Sequence, residues 1–454
     1  MQSAPVSTRS AIHNTAWLYM EKMVTMTVLL LVNIVMAREL GPKYFGTYSL
    51  LLSYIALFTP LIALGLNAIV IRELCNDKDN EGKIIGTVLT LRLLGVLLGT
   101  ICILVLASHV IEVLSPYYVL VVILVIGNSF SIFNLFEHWF QSRMQSKSIA
   151  VIRTSVLLIF SVIKLLVAFT APSLSNFIIV QSVEWAVVGC VFGLTYYKKR
   201  NKSHKIEIDF RYGIKLLRES IWLIFSGIAA VIYLKIDQLM LGIMVDETAV
   251  GIYAIAVKFS EIWYFFPTAL AAAFFPKLLS DKIVSVELYN DSLQLLLDCM
   301  FAFSLLVITF TVIFSPTFIP FLYGSDYEQS ASLLNIQIWA CCFVFMRAIT
   351  SKWLIAESLV RFSLVSQGSG AVINVIMNYY FIPVWQAEGA AWATLVSYCF
   401  ASYFCFWIFK DTRPMARKMT SALFFPIRLK SNLQKIKQLS QKSVSTASID
   451  VITK

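Results

Sequence analysis

The chain has 454 residues, 58% of them hydrophobic and only 14% charged, with a net charge of +11 and a mean hydropathy of +0.77. Soluble chains carry about 25% charged residues, so there are too few charges here to coat a water-soluble body. The positive balance does not point to nucleic acid, because the basic residues are dispersed among short loops between apolar runs.

A helix that crosses the hydrocarbon needs about 20 mostly apolar residues. In chain order such runs fall at 15–37, 45–70, 84–108, 117–140, 149–170, 174–197, 219–243, 249–275, 292–315, 329–351, 361–383 and 388–409. A transmembrane β-barrel would instead alternate with period two over segments of about ten residues. The first run follows the polar lead Met1–Asn14. That lead is not the short basic region of a cleaved signal, so the run is expected to stay as a helix. The predicted fold is all-α and polytopic, with about 12 transmembrane helices.

Lysine and arginine gather in alternate loops, as topological sorting by positive charge requires. One set of loops carries Arg72, Lys78 and Lys83; Arg143 and Lys147; Lys198, Lys199, Arg200, Lys202, Lys205, Arg211, Lys215 and Arg218; Lys277 and Lys282; Lys352 and Arg361; and the tail after Lys410. The opposite loops hold only Arg38 and Lys43. This pattern predicts an even number of spans and both termini on the cytoplasmic side. No outward loop exceeds about a dozen residues, so function is expected within the bilayer.

The basic stretch 198–218 divides the spans six and six, and the halves share features in register. Phe45-Gly46-Thr47-Tyr48 after the first span matches Val250-Gly251-Ile252-Tyr253 after the seventh, each behind a turn-like stretch, Gly41-Pro42 or Asp246-Glu247. Pro60 matches Pro267, and Arg153-Thr154-Ser155 matches Arg361-Phe362-Ser363. The expected organisation is an N-terminal lobe over 1–203, a C-terminal lobe over 204–410 and a basic tail over 411–454. Two six-helix lobes in one orientation imply a pseudo-two-fold axis along the membrane normal, with substrate bound between them.

Charges inside spans are costly and so face a cavity or a partner. Lys164, Glu184 and Lys235 lie deepest, with Arg92, Lys258 and Arg347 at similar or slightly shallower depth. Arg153, Glu137 and Lys22 lie nearer a boundary, where side chains snorkel. Lys258 and Glu261, three apart on one helix, are placed to neutralise each other. Lys235 and Asp237 cannot share a helix face. Glu184 is either a proton site or a partner for Lys164 on the preceding helix. A preponderance of buried basic groups favours an anionic cargo. Seven of the eight cysteines lie within spans, no CxxC occurs and the four histidines are scattered, so no metal site is expected.

Several motifs carry a family resemblance. Ala37-Arg38-Glu39-Leu40-Gly41-Pro42-Lys43-Tyr44-Phe45-Gly46-Thr47-Tyr48 resembles the first-loop signature of Wzx-type polysaccharide flippases, the O-antigen and capsule repeat-unit translocases of the MOP superfamily. So do Lys235-Ile236-Asp237-Gln238-Leu239-Met240-Leu241-Gly242, Tyr323-Gly324-Ser325-Asp326-Tyr327, and Asn374, Asn378, Pro383 with Glu388-Gly389-Ala390-Ala391-Trp392-Ala393-Thr394. The resemblance spans about residues 10–410. It implies a bacterial inner-membrane flippase that moves undecaprenyl-diphosphate-linked oligosaccharide to the outer leaflet by alternating access, among other membrane proteins of polysaccharide assembly.

On this reading Lys235, Lys164, Arg92, Arg347 and Lys258 form a cationic cavity for the diphosphate. Asp237, Glu184 and Glu261 are coupling-ion or ion-pair candidates, for a proton or sodium ion. Asn33, Asn67, Asn374 and Asn378 are candidates to hydrogen-bond sugar, or to hold helices together. No other cofactor is expected. A multidrug or cation antiporter of the same fold is the alternative. A membrane enzyme of glycan assembly ranks lower, since the sequence shows no large loop and no Ser/His/Asp clustering.

Overall fold

The computed structural model describes residues 8–77, 79–109, 112–200 and 206–424. Lys78, Lys202, Lys205 and the tail beyond 424 lie outside the described residues, as does whatever they contribute to the charge pattern. Among the described residues the secondary structure is helical throughout. In order the helices are α1 (Thr8–Ala63), α2 (Asn67–Asn76), α3 (Glu81–His109), α4 (Tyr118–Ser129), α5 (Asn134–Ser142), α6 (Ser146–Thr170), α7 (Leu174–Lys199) and α8 (Phe210–Met244). There follow α9 (Glu247–Ile262), α10 (Phe265–Val284), α11 (Val286–Tyr323), α12 (Gln329–Gln337), α13 (Ala340–Ala356), α14 (Arg361–Cys399), α15 (Cys405–Ile408) and α16 (Arg413–Leu423).

Nine stretches among the described residues are long and apolar enough to cross a membrane, or ten if the bent pair Ser325–Gln337 and Ala340–Ala356 is one span. Two of the nine cannot be single crossings. Ala16–Asn76 has 61 residues and Arg361–Ile408 has 48, far beyond what about 30 Å of hydrocarbon requires. Each is broken by a non-helical residue, Gly41 (φ 72°, ψ 170°) in α1 and Gln386 (φ 49°, ψ −124°) in α14. Two crossings from each of these, with the bent pair, account for the twelve expected runs. The Gly41-Pro42 turn falls where the sequence places it. The basic stretch before residue 219 differs from expectation, because α8 begins at Phe210 and its side chains emerge from helix rather than loop. Asp209 explains that start: its carboxylate caps the Tyr212 N–H at 3.0 Å.

The helices fall into two compact units. One comprises residues 1–258, 315–334 and 371–394; the other comprises 259–314, 335–370 and the remainder from 395. In the first, α1 packs on α6, α8 and α3, and α4 packs on α7. Its core near the helix ends is built on Leu66, Val70, Leu135, Trp139, Phe140 and Phe192. Phe136 stacks on Tyr196 at 4.4 Å between ring centres. In the second unit, α10 packs on α13, and α15 on α16. Leu97, Leu98, Ile101 and Val105 of α3 are exposed, as a bilayer permits and water does not.

The repeated glycines have a packing role within the first unit. A Cβ on Gly46 would lie 1.7 Å from the Glu247 carbonyl oxygen, and one on Gly251 would lie 2.1 Å from the Pro42 oxygen and 3.0 Å from the Gly46 nitrogen. The two copies of the motif therefore meet backbone to backbone. Contact between equivalent residues is what a pseudo-two-fold axis requires of segments beside it, and small residues permit such approach in a membrane.

Candidate functional site

A cavity of about 560 Å³ opens within the first unit. Helix α1 contributes Glu21, Thr25, Asn33 and Tyr48; the α4–α5 region contributes Asn128, Ser131 and Asn134; α6 contributes Arg153 and Lys164. Gln181, Glu184 and Trp185 come from α7, and Lys258 from α9. Three cations and two carboxylates thus line it, along with four carboxamides.

The polar groups are positioned by one another. Lys164 is buried, and its ammonium donates to Glu184 Oε2 at 2.6 Å and to Gln181 Oε1 at 2.9 Å. Tyr48 donates to the same Gln181 oxygen at 2.9 Å. Arg153 reaches Glu137 at 2.5 Å, and Thr25 donates to Glu21 at 3.0 Å. Lys258 donates to Asn33 Oδ1 at 2.5 Å and lies 4.7 Å from the centre of the Phe45 ring. Such a wall of carboxamides, hydroxyls and paired charges can exchange hydrogen bonds with a hydroxyl-rich or phosphorylated guest.

Of the residues singled out in the sequence, Lys164, Lys258, Glu184 and Asn33 come together here. Glu184 is the partner of Lys164 on the preceding helix. Arg92 is buried behind the cavity wall, donating to Asn67 Oδ1 at 2.6 Å and to the Ser131 carbonyl at 3.5 Å. Asn67 also meets His138 Nε2 at 3.1 Å. Lys235 is half-buried on α8 and is not among the side chains lining the cavity. Arg347 and Glu261 belong to the second unit, where Arg347 donates to Ser363 at 3.2 Å and lies 5.3 Å from the Phe406 ring.

Arg153, read from the sequence as lying near a span boundary, lines the cavity and pairs with the buried Glu137. Hairpin register holds the missed signal: Glu137 and Arg153 stand at similar distances on either side of the short turn between α5 and α6. Asn128, Asn134, Gln181 and Trp185 were also unsignalled, since a single carboxamide or indole in a span does not disclose which way it faces.

A second polar cluster of the same unit surrounds Asp237 of α8. Its carboxylate is buried and accepts from Asn378 Nδ2 at 2.6 Å, Thr394 Oγ1 at 2.6 Å and Tyr253 Oη at 3.0 Å. Asn378 also donates to Asn374 Oδ1 at 3.1 Å. The Asn378 carbonyl oxygen is buried with no hydrogen-bond partner. Among the described residues no lysine or arginine stands within ion-pair distance of Asp237. Asn374 and Asn378, candidates either to bind sugar or to hold helices together, are bonded here and are not among the side chains lining the cavity. Among the described residues no group of three or more His, Cys, Asp or Glu is placed to hold a metal ion.

Comparison with known proteins places this arrangement. A family profile described as polysaccharide biosynthesis protein matches residues 11–280. A search of the curated proteins finds no match to the sequence. Among solved structures, the chain is similar to the lipid II flippase MurJ in an inward closed conformation, with a TM-score of 0.62, 13% identity, and 93% of this chain and 96% of that one covered. It is similar to an outward-facing multidrug resistance MATE family transporter of the MOP superfamily, with a TM-score of 0.62, 15% identity and coverage of 90% and 96%. A MOP superfamily transporter from Pyrococcus furiosus, its binding pocket described as of reverse polarity, gives 0.61, 13%, 90% and 96%. At such identities the likeness concerns the fold, which is that of the MOP-superfamily transporters.

Proposed function

This chain belongs to the polysaccharide biosynthesis protein family, and we propose that it is a Wzx-type flippase moving a polyprenyl-diphosphate-linked oligosaccharide across the bacterial inner membrane. The cavity of the first unit carries this reading. It combines Arg153, Lys164 and Lys258 with Asn33, Asn128, Asn134 and Gln181 in a protein built largely of helices long and apolar enough to cross a membrane.

The chemistry follows from solvation. Each unpaired sugar hydroxyl costs about 4–8 kcal/mol in a medium like cyclohexane, and a diphosphate costs more. The protein must offer the head a polar path, while the polyprenyl tail stays in lipid. Carboxamides serve sugar hydroxyls as donors and acceptors. Arginine forks onto phosphate and lysine acts as a point charge. Lobes over 1–203 and 204–410, with both termini cytoplasmic, would rock to give alternating access. Lys235, Arg92 and Arg347 remain candidates for the diphosphate along that path.

Asp237 is the site we assign to coupling. A carboxylate ringed by neutral groups, with the Asn378 oxygen unsatisfied beside it, suits a sodium ion or a proton. Small hard cations take oxygen ligands of this kind. The membrane potential adds about 2.3 kcal/mol per charge per 100 mV, which assists an anionic head leaving a negative interior.

Surface polysaccharide in cells tests the reading. Lys258→Ala and Lys235→Ala are each expected to abolish export while the protein stays in the membrane. Normal export in both variants would overturn it. Glu21 and Glu184 in the same cavity favour one second reading, a cation antiporter; drug efflux with unchanged surface polysaccharide would select it.

A further inference from the structure

Where α5 ends, α6 begins and α7 ends, the surface of the first unit sinks into a separate hollow of about 500 Å³. Trp139, Arg143, Gln145, Lys147, Ser148 and Lys199 line it, and none of them lines the larger cavity. We propose that this hollow binds the phosphate group of an anionic membrane lipid.

Its floor is rigid. Trp139 is buried and its indole N–H donates to the buried Glu81 at 2.7 Å. Arg143 pairs with that same carboxylate and lies 4.9 Å from the Trp139 ring. Glu81 thus balances Arg143. The two lysines are held differently. Lys199 donates to Ser148 Oγ at 3.1 Å and lies 5.4 Å from the Phe140 ring. Lys147 lies 5.6 Å from the Trp17 ring. Among the described residues neither lysine pairs with a carboxylate, so two positive charges face the hollow uncompensated. The N-terminus of the 25-residue α6 opens beside them, and its cap residue Gln145 supplies no side-chain hydrogen bond there. A long helix presents partial positive charge and N–H donors at that end, which suits phosphate.

Position selects a lipid over a soluble ion. The hollow lies among Ser142, Ser146 and Lys199, which are terminal residues of three candidate spans. That is the level at which hydrocarbon gives way to headgroups, and where tryptophan concentrates. A phosphodiester at this level reaches both lysines with its acyl chains left in the bilayer. The proposal does not depend on what the larger cavity carries.

Native mass spectrometry of the purified full-length chain in detergent tests it, with phosphatidylglycerol, diacylglycerol and inorganic phosphate as probes. The wild-type chain is expected to retain phosphatidylglycerol, to lose it to excess inorganic phosphate and to ignore diacylglycerol. K147E/K199E is expected to weaken retention by roughly tenfold or more, in line with two lysines at a charged membrane surface. K147R/K199R is expected to keep it, and K147Q/K199Q guards against misfolding of the reversed variant by showing an intermediate loss. K352E, a charge reversal in the second unit, is expected to change nothing. Equal retention by wild type, K147E/K199E and K147Q/K199Q overturns the site. Binding of inorganic phosphate without any binding of phosphatidylglycerol overturns the lipid as its source.

Discussion

Lys164 and Glu184 meet at 2.6 Å with only 4% and 12% of their side chains exposed. Removing one partner of such a pair leaves a bare charge in a low-dielectric setting, at a cost of about 3–5 kcal/mol, whereas replacing both with apolar groups is often neutral or stabilising. Lys164→Met is therefore expected to lower the thermal stability of the detergent-solubilised protein sharply, and Lys164→Met with Glu184→Met to recover most of it. A double variant as unstable as the single one would contradict this. Asp237 makes the opposite case, a carboxylate held by neutral donors. Asp237→Asn keeps the size and one acceptor oxygen, and the Thr394 and Tyr253 hydroxyls can turn to accept from its amide, so the protein is expected to fold and to lose any dependence of transport on sodium or pH. Persistence of that dependence in the variant would remove Asp237 as the coupling site. The depth of these charges was legible in the sequence, because ionisable residues stand out in apolar runs. Their partners were not. Whether Glu184 meets Lys164 depends on the rotation and register of α6 against α7, which a single sequence does not encode locally, and Asn374 and Asn378 read alike as sugar ligands or as part of a polar cage.

Elements show the same division between what is local and what is not. The breaks at Gly41 and at the α8–α9 turn follow from turn chemistry, and Ala249 N–H caps onto Asp246 at 2.7 Å as expected of an aspartate there. Gln386 was not foreseen: nothing about a glutamine signals a backbone at φ 49°. The repeated Gly46 and Gly251 were visible as a motif, but that they touch required the fold. With a Cβ at either position falling within about 2 Å of a carbonyl oxygen, Gly251→Val must push α9 away from α1. Overpacking costs about 1–3 kcal/mol, occasionally more, so a lower melting temperature is expected, whereas Gly368→Ala, with open space around its Cβ, is expected to be nearly silent. The start of α8 adds a pH effect. Hydrogen bonding to Lys83 and to the Tyr212 N–H, with the nearby positive charge, holds the Asp209 carboxyl below its usual range. Its contribution is therefore present above the unfolded value of about 3.9 and is lost as pH falls through the lower folded value. Acid unfolding of Asp209→Ala should show a shallower pH dependence in that window than wild type.

For the molecule as a whole, hydropathy alone foretold a polytopic helical protein, because each crossing must satisfy its backbone internally and so declares itself as an apolar run. The twelve runs reappear once the broken helices α1 and α14 are read as two crossings each and the bent pair Ser325–Gln337 and Ala340–Ala356 as one. The cavity did not declare itself, since it is assembled from α1, α4, α5, α6, α7 and α9, and only four of the twelve residues singled out for a site line it. Export of a polyprenyl-diphosphate oligosaccharide requires that this cavity admit a phosphate-bearing sugar head. The direct measurement is translocation in proteoliposomes of a fluorescently labelled polyprenyl-diphosphate oligosaccharide, read as label newly accessible to a membrane-impermeant quencher. Wild-type protein is expected to expose the label, and Lys258→Met to do so far more slowly with the protein intact and correctly inserted. Equal rates for the two proteins, or for wild-type and empty liposomes, would contradict the account.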